Sequence, residues 1–433
     1  MVQRQPNSDD IVSVAEKARE AAGLLATAST GRKNGALEAM AEALTEREAD
    51  IVAANRADME RARQEGVATA LVNRLSFDEK RVRSRVASLQ KIASLPDPVG
   101  QVFEAERRPN GLDVARVRVP LGVILMVYEA RPHVTVNAGA FCLKAGNAAI
   151  LRGGSEAREC NALLGELWRR SLQEAGLPEA GVQVISGSHE DIHELLQMDE
   201  QIDLVIPRGG KGLIKSVSES SRIPVVKHFE GVCHVFLDEG CNLTAGLNIA
   251  LDSKCLMPHV CNAMETLLVD RSLTAQLPRI IESFQQQGVD VRGCEMTQQA
   301  APDVKAATEE DWRTEYLDLI VSIRVVNDVQ EAIAHINTFG SHHTDSIVTD
   351  SESRARTFVE AVDSGVVLVN GSTMFCDGES LGMGAEIGIS TDRLHARGPM
   401  GLQELTTYKF VIRGQGHIMG PARAGEGSGR DES

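Results

Sequence analysis

An alternation of short apolar runs and amphipathic segments between residues 121 and 231 constrains the fold of this chain more than any other feature. A continuous apolar run from Leu121 to Val127 fits a strand that is buried on both faces, as in a parallel sheet. The segments that follow alternate in type: strand-like AAILRGG, VQVISG, IDLVIPRGG and IPVVKHFEG, and helix-like EARECNALLGELWRRSLQEAG, HEDIHELLQM and KGLIKSVSESS. These repeated units predict an α/β fold with a parallel, helix-flanked sheet that binds a nucleotide at the carboxyl ends of its strands.

Other parts of the chain carry different patterns. Residues 9–95 are rich in Ala, Leu, Glu and Arg, which predicts amphipathic helices. Asn110-Gly111 predicts a hairpin turn, and a second α/β block spans about 235 to 392. The segment GLQELTTYKFVIRG predicts a further strand, and residues 414–433 are glycine-rich and charged, which predicts disorder. With 433 residues, the chain is long enough for two or three domains.

Charge and cysteine usage exclude several classes of partner. The formal net charge of −16 at pH 7 argues against binding to nucleic acid or to an anionic membrane. The eight cysteines form no CxxC pair, and the first ten residues lack the apolar core of a signal peptide. No apolar run approaches the ~20 residues of a membrane span. We therefore expect free thiols in a reducing cytoplasm.

A match to the zinc-protease pattern H-E-x-x-H occurs at 189–193. Ser186-Gly187-Ser188 precedes it directly after a predicted strand, and its acidic residues suit the first turn of a helix. No third ligand follows at the usual spacing. The stretch therefore predicts an ordinary capped helix, and no metal is expected.

Cys261 has two possible interpretations. It follows Pro258 and precedes Ala263 to Leu268, a run that predicts the start of a helix. A buried free cysteine usually acts as a small hydrophobic residue. At a helix N-terminus, however, the helix dipole lowers a thiol pKa and favours a nucleophile. The residues alone leave both interpretations open.

Three other stretches carry residues suited to anions. Arg208, Gly209 and Gly210 lie where a strand leads into a helix and could let backbone N–H groups approach phosphate. Arg152 and Gly153 follow a strand in the same way, and Arg152 could pair with a ribose 2′-phosphate. A third group, at the end of a glycine-dense loop, could hold an anionic substrate and consists of Arg393, His395 and Arg397. A plain turn or a solvated charge cluster remains the alternative for each.

Several long motifs resemble one family, the γ-glutamyl phosphate reductases of the aldehyde dehydrogenase superfamily. The resemblance covers residues 10 to about 413 in order, and its motifs are MVYEARPHVTVNAGAFCLKAGNAAILRGGSEA, LVIPRGGKGLI, CNAMETLLV, GSHHTDSIVT and GMGAEIGISTDRLHARGPMGL. It implies an aldehyde dehydrogenase-like fold. An NADPH-binding domain would span 1–234, a catalytic domain 235–395, and an oligomerisation element would combine a hairpin near 104–119 with a strand in 396–413.

The resemblance also implies site residues. Cys261 matches the family's catalytic cysteine, with the backbone N–H groups of Cys261 and Asn262 as donors to an oxyanion. Glu315 matches the glutamate that binds the nicotinamide ribose, and Arg131 would join the substrate-binding residues. Two positions depart from the family, because Met257 and Met374 stand where arginine is frequent.

The implied reaction is the second step of proline synthesis. L-γ-Glutamyl 5-phosphate and NADPH would give glutamate 5-semialdehyde, NADP and phosphate through a Cys261 thioester. The implied partners are further copies of the chain and, transiently, the upstream glutamate kinase. Two alternatives remain: a hydrolytic aldehyde dehydrogenase with Glu230 as its base, and a non-catalytic oligomeric scaffold, which the two methionines would favour.

Overall fold

A computed structural model of the protein describes residues 11–227, 230–383 and 386–420. The described residues form fourteen α-helices: α1 Ile11–Leu25, α2 Thr30–Glu46, α3 Glu48–Gln64, α4 Thr69–Leu75, α5 Glu79–Ser94, α6 Pro132–Lys144, α7 Arg158–Glu174, α8 His189–Leu195, α9 Lys211–Ser220, α10 Leu243–Cys255, α11 Leu277–Gln285, α12 Glu295–Ala300, α13 Val329–Phe339 and α14 Glu352–Ala361. They also form sixteen strands: β1 Val102–Arg107, β2 Asp113–Pro120, β3 Val123–Tyr128, β4 Ala148–Gly153, β5 Val182–Ile185, β6 Leu204–Arg208, β7 Cys233–Leu237, β8 Met264–Asp270, β9 Asp290–Gly293, β10 Lys305–Ala306, β11 Ile320–Val326, β12 Thr344–Val348, β13 Val366–Val369, β14 Gly388–Ser390, β15 Gly398–Met400 and β16 Thr406–Arg413.

The predicted parallel sheet is present, with strand order β5-β4-β3-β6. Every residue of β3 and β4 is buried, as the continuous apolar runs predicted. β4 and β5 lie on one side of β3 and β6 on the other, so the strand order reverses between β3 and β6. In open α/β sheets, ligands bind at the carboxyl ends of the strands at such a switch point.

The N-terminal helices share a core with this sheet. Leu37 of α2, Phe77 before α5 and Leu89 of α5 belong to the same buried apolar cluster as Val127 of β3. Residues 11–94 are thus helical, as their composition predicted. Of the predicted strand at 223–231, residues 228 and 229 lie outside the described residues, and among the others only Val225 forms a bridge, to Val205, so the described part is shorter than predicted. Pro224 lacks the N–H group that would continue a ladder.

A second, seven-stranded sheet has the order β10-β9-β11-β8-β7-β12-β13. Its central strand β8 is bonded to β7 on one side and β11 on the other, and all seven of its residues are buried. The helix predicted from Ala263 onward is therefore wrong. Met, Glu and Leu favour helices, but burial on both faces lets a strand carry the same apolar run.

The hairpin predicted at Asn110-Gly111 joins β1 and β2, with Gly111 at φ 86°. β16 pairs antiparallel with β2 along its whole length, from Thr406 opposite Pro120 to Arg413 opposite Asp113. The three strands form a separate sheet. The predicted tail falls partly on residues 421–433, outside the described residues. No helix in the described part of the chain is long and apolar enough to cross a membrane.

Candidate active site

A cavity of about 580 Å³ opens between the switch point of the first sheet and the residues that lead into β8. Cys261 and Asn262 line it, and so do Arg131 after β3 and Arg208 at the end of β6. Its charged lining residues are Arg74, Arg131, Arg208, Lys211, Glu230, Glu315, Asp377 and Glu386. The topology thus brings together segments that are far apart in the sequence, at the edge where a nucleotide is expected.

Cys261 lies in a turn, not at the start of a helix. α10 ends at Cys255, and the chain turns through hydrogen bonds from Val260 N to Met257 O and from Ala263 N to Val260 O before β8 begins. No helix dipole therefore acts on the thiol from its own segment. Burial raises the pKa of Cys261 to about 11, against the lowering effect of Arg208 and with the raising effect of Glu315 and Glu386. The predicted activation by a helix start is wrong.

The backbone of Cys261 is held firmly by its neighbours. The Cys233 thiol donates to Cys261 O at 3.3 Å. A Cβ added at Gly231 would lie 1.8 Å from the same oxygen, so only glycine fits there. The Asn262 side-chain amide donates to the carbonyl oxygens of Thr373 at 3.2 Å and Cys376 at 3.3 Å. Asn262 therefore fixes the thiol-bearing turn against the 372–376 segment.

The turn from β6 into α9 forms the opposite wall. The Gly210 N–H donates to Glu129 Oε2 at 2.9 Å, and a Cβ on Gly209 would lie 2.5 Å from that oxygen. Arg131 donates to Arg208 O at 3.4 Å. Burial, followed by the charges of Arg208 and Arg74, lowers the pKa of Arg131 to about 10. These cations are thus crowded together at the strand ends.

Two glutamates of the cavity have defined partners. Glu230 accepts from Lys211 Nζ at 2.6 Å, and Glu315 Oε1 accepts from Gly231 N at 2.8 Å. Burial raises the pKa of Glu315. The Glu315 carboxylate is therefore anchored to the glycine that packs against Cys261.

A buried ion pair supports the loop that carries Glu315. Lys254 at the end of α10 and Glu265 of β8 are fully buried and bind one another. The other Glu265 oxygen accepts from Leu317 N at 3.3 Å, and Leu317 has φ 53°, a conformation that is costly for a residue with a Cβ. Burial raises the pKa of Glu265 to about 7. The bonds to Lys254 and to Leu317 N thus explain why a charged residue stands within the buried central strand.

Two residues of the cavity were not predicted from the sequence. Arg74 lies on the short helix α4, where no local pattern distinguishes it from other surface arginines. Glu386 belongs to the glycine-dense loop, but only the fold brings it near the thiol. Burial raises the pKa of Glu386 to about 7, against the lowering charge of Arg208.

The predicted anion cluster near the C-terminus lies elsewhere. Arg393 and Arg397 each bind the Asp363 carboxylate at 2.7 Å, and these contacts hold the pKa of Asp363 near 2. His395 Nε2 lies 2.6 Å from Glu404 O. Unlike Arg131, none of the three lines the Cys261 cavity; after Glu386, Ile389 of β14 still lines it, but Arg393, His395 and Arg397 lie beyond that strand.

Arg152 occupies a different position from the one expected. Its side chain is only 9% exposed and donates to Gly187 O at 2.7 Å. A smaller cavity of about 240 Å³ lies at the ends of β4 and β5 and is lined by Gly153, Gly154, Ser155, Arg158, Asn161 and residues 185–187. Arg152 does not line this cavity but binds Gly187, which does, whereas Arg158 lines it directly.

The two methionines lie in the Cys261 cavity, and the zinc-protease pattern lies in a short capped helix. Met257 and Met374 both line the Cys261 cavity, so the departures from the family fall in the site. His189 opens α8, which Ser188 and Asp191 cap reciprocally, as the sequence predicted. Within the described residues, no group of three or more His, Cys, Asp or Glu side chains is placed to hold a metal ion.

A known protein family and its members match this chain over most of its length. The model of the aldehyde dehydrogenase family matches residues 2–299. A protein from Desulforapulum autotrophicum named gamma-glutamyl phosphate reductase is 50% identical over 408 residues, 94% of this chain and 98% of that one. The chain belongs to the aldehyde dehydrogenase family. It is an oxidoreductase of that family.

Solved structures share the fold of this chain. The crystal structure of gamma-glutamyl phosphate reductase from Thermotoga maritima has a TM-score of 0.93 at 45% identity and covers 95% of this chain and 100% of its own. An acetylating aldehyde dehydrogenase from Geobacillus thermoglucosidasius has a TM-score of 0.68 at 17% identity, covering 96% and 98%, which shows the fold alone. The resemblance to γ-glutamyl phosphate reductases and the predicted aldehyde dehydrogenase-like fold are confirmed.

Proposed function

We propose that the chain reduces L-γ-glutamyl 5-phosphate to L-glutamate 5-semialdehyde with NADPH and releases phosphate, in the second step of proline synthesis from glutamate. Relatives that are 46–50% identical over more than nine-tenths of the chain carry the name of this enzyme. The observation that carries the proposal is the position of Cys261, at a switch-point cavity that also holds arginines and Glu315. A thiol, an anion-binding wall and a nucleotide-binding edge are what this reaction requires.

The residues present fit a phosphorylated dinucleotide. Gly153, Gly154, Gly209 and Gly210 line the two cavities at the strand ends, and backbone without side chains lets a phosphate approach its N–H groups. Arg208, Gly209 and Gly210 would hold its phosphates, and Glu315 its nicotinamide ribose. Gly153 and Arg158 would face the adenosine ribose, with Arg152 behind them. When bound, NADPH supplies a hydride.

Acylation of the thiol follows from the state of Cys261. Because its pKa is about 11, the free thiol is protonated at neutral pH. The sulfur attacks the acyl carbon, the S–C bond forms and the C–O bond to phosphate breaks. The thiol proton leaves on the phosphate as hydrogen phosphate, so no separate base is consumed.

Reduction of the thioester consumes one hydride and one proton and returns the aldehyde and the free thiol. Glu386 can hold that proton in the same cavity, because its pKa of about 7 leaves it partly protonated at neutral pH. The firmly held Cys261 backbone keeps the acylated sulfur in place through both steps.

The hydrolytic alternative needs a carboxylate that is free to activate water. Glu230, the residue suggested for that role, is bound by Lys211 at 2.6 Å. This pairing supports release of phosphate over hydrolysis. The scaffold alternative rests on Met257 and Met374, and both lie beside an intact thiol and an anchored Glu315.

The three-stranded sheet supports self-association. In the antiparallel register of β2 and β16, Tyr408, Phe410 and Ile412 lie opposite Arg118, Arg116 and Val114 and share one face. Tyr408, Phe410 and Ile412 are 45%, 56% and 59% exposed. Exposed aromatic and arginine side chains on one face are typical of protein interfaces. We assign the homo-oligomer contact to this sheet.

The acyl phosphate substrate must come from a kinase that phosphorylates the side-chain carboxylate of glutamate.

The reverse reaction tests the proposed function. Glutamate semialdehyde should reduce NADP only when inorganic phosphate is present, and Cys261→Ala should lower kcat by at least about a thousandfold. Cys255→Ala, which removes a thiol outside the cavity, is the matched control and should keep full activity. Phosphate-independent oxidation would favour the hydrolytic alternative, and unchanged activity of Cys261→Ala would exclude the thioester route.

A further inference from the structure

Three arginines line the Cys261 cavity, and two more act on a histidine beside them. Arg74 belongs to α4, Arg81 and Arg85 to α5, Arg131 precedes α6, and Arg208 ends β6. Burial, followed by the charges of Arg85, Arg131, Arg81 and Arg208, lowers the pKa of His133 to about 3. One imidazole therefore senses four of the five guanidinium groups, and it adds no charge of its own at neutral pH.

These arginines differ from their neighbours in lacking an acidic partner. Arg56 of α3 pairs with Glu79, and Arg83 of α5 pairs with Glu48. Within the described residues, no carboxylate lies within ion-pair distance of any of the five. The hydrogen bonds of Arg81, Arg85 and Arg131 go to Ser76 O, Ser84 Oγ and Arg208 O, which are neutral groups.

Such a cluster is unusual in a chain with a net charge of −16. Nearby carboxylates are engaged differently: Glu129 accepts from Gly210 N, and Glu386 accepts from Gly378 N at 3.1 Å. Burial lowers the pKa of Arg131 most, and the charges of Arg208 and Arg74 lower it further, against the raising effect of Glu129, so the guanidinium groups also repel one another. A bound dianion would remove that repulsion.

We propose that Arg74 and Arg131, which line the cavity beside Cys261, form the binding site for the phosphate group that leaves during acylation, and that Arg81 and Arg85 draw the dianion toward it. The inference rests on the proposed function for its substrate. Planar guanidinium groups bind phosphate oxygens in pairs, and positive charge in a cleft focuses an anion on it. As the C–O bond breaks, charge gathers on the phosphate oxygens, and the arginines stabilise it where it develops.

Arg74 offers the cleanest test because it is exposed on a short helix and has no role in the core. Arg74→Gln should raise the KM for inorganic phosphate in the reverse reaction about tenfold, which corresponds to about 1.4 kcal/mol, with little change in the KM for NADP. Arg83→Gln removes the same charge from the neighbouring helix and should leave both values unchanged. An equal effect of the two variants, or a larger effect on NADP than on phosphate, would overturn the assignment.

A second measurement needs no turnover. Inorganic phosphate should slow the modification of Cys261 by iodoacetamide, and the concentration that gives half protection should rise about tenfold in Arg74→Gln. Sodium acetate at the same ionic strength should protect less, since acetate is a monoanion. If phosphate protects but the enzyme shows no phosphate-dependent turnover, the proposed function fails and the anion site stands. If phosphate protects the wild type and Arg74→Gln equally, the anion site is wrong.

Discussion

At Cys261, burial and two carboxylates act against one guanidinium group in setting the pKa of the thiol. The apolar turn before β8 raises the pKa, the Arg208 guanidinium lowers it, and the carboxylates of Glu315 and Glu386 raise it again. The result is a thiol that is protonated at neutral pH. Reactive cysteines usually have lowered pKa values, so the proposed thioester route requires that the bound substrate accept the thiol proton.

This state of the thiol predicts a particular pH dependence of labelling. In the free enzyme the rate of iodoacetamide modification at Cys261 should rise about tenfold per pH unit from pH 7 to 10, because the thiolate fraction rises in that way below a pKa of about 11. Peptide mass spectrometry separates Cys261 from the partly exposed Cys255 and Cys294. A plateau below pH 8.5 would show that the thiol is activated in the resting enzyme.

Two arginines near the smaller cavity should have separable effects on cofactor choice. Arg158→Ala should raise the KM for NADPH about tenfold and leave that for NADH unchanged. Among the described residues Arg158 pairs only with Glu159, and this exposed, weak pair leaves its guanidinium group available to a phosphate. Arg152→Ala should lower the melting temperature and affect both cofactors alike, because it removes the bond to Gly187 O. Arg170→Ala, on the same helix as Arg158, is the control. The opposite pattern would restore Arg152 as the 2′-phosphate ligand.

At the scale of elements, the link between α10 and β8 depends on one buried pair. Lys254→Met would leave Glu265 buried without its cation and should reduce the free energy of unfolding by about 3–5 kcal/mol. Lys254→Met with Glu265→Gln removes both charges and keeps an acceptor for Leu317 N, so most of that loss should be recovered. Urea unfolding at pH 7 measures both. If the double variant is no more stable than the single one, the unpaired charge is not the cause.

At the scale of the whole molecule, the exposed face of the three-stranded sheet should hold copies of the chain together. Phe410→Glu should shift the protein to a smaller species, because it replaces an exposed aromatic side chain at the centre of this face with a charged one. Thr407→Glu adds the same charge on the opposite face of β16 and serves as the control. Light scattering after size-exclusion chromatography gives the mass of each. An unchanged mass of the Phe410 variant would place the interface elsewhere.

Much of the fold could be read from local pattern, and the failures have identifiable causes. The βα repeats, the N-terminal helices and the Asn110-Gly111 hairpin are all present, since periodicity and turn chemistry act over a few residues. β8 was predicted as a helix because Ala263 to Leu268 suits either state, and only pairing on both edges decides between them. Arg393 and Arg397 looked like an anion site because their partner, Asp363, is thirty residues away in sequence.

The sequence by itself determined the fold class and the family, because periodic burial and long motifs are local properties of a chain. Only the tertiary structure decided what surrounds the Cys261 thiol. Arg74, Glu386 and Arg208 line one cavity with Cys261 because the fold brings together segments that are far apart in the sequence. Charges and burial act through space, so the protonation of Cys261 and the choice of arginines that face it follow from packing.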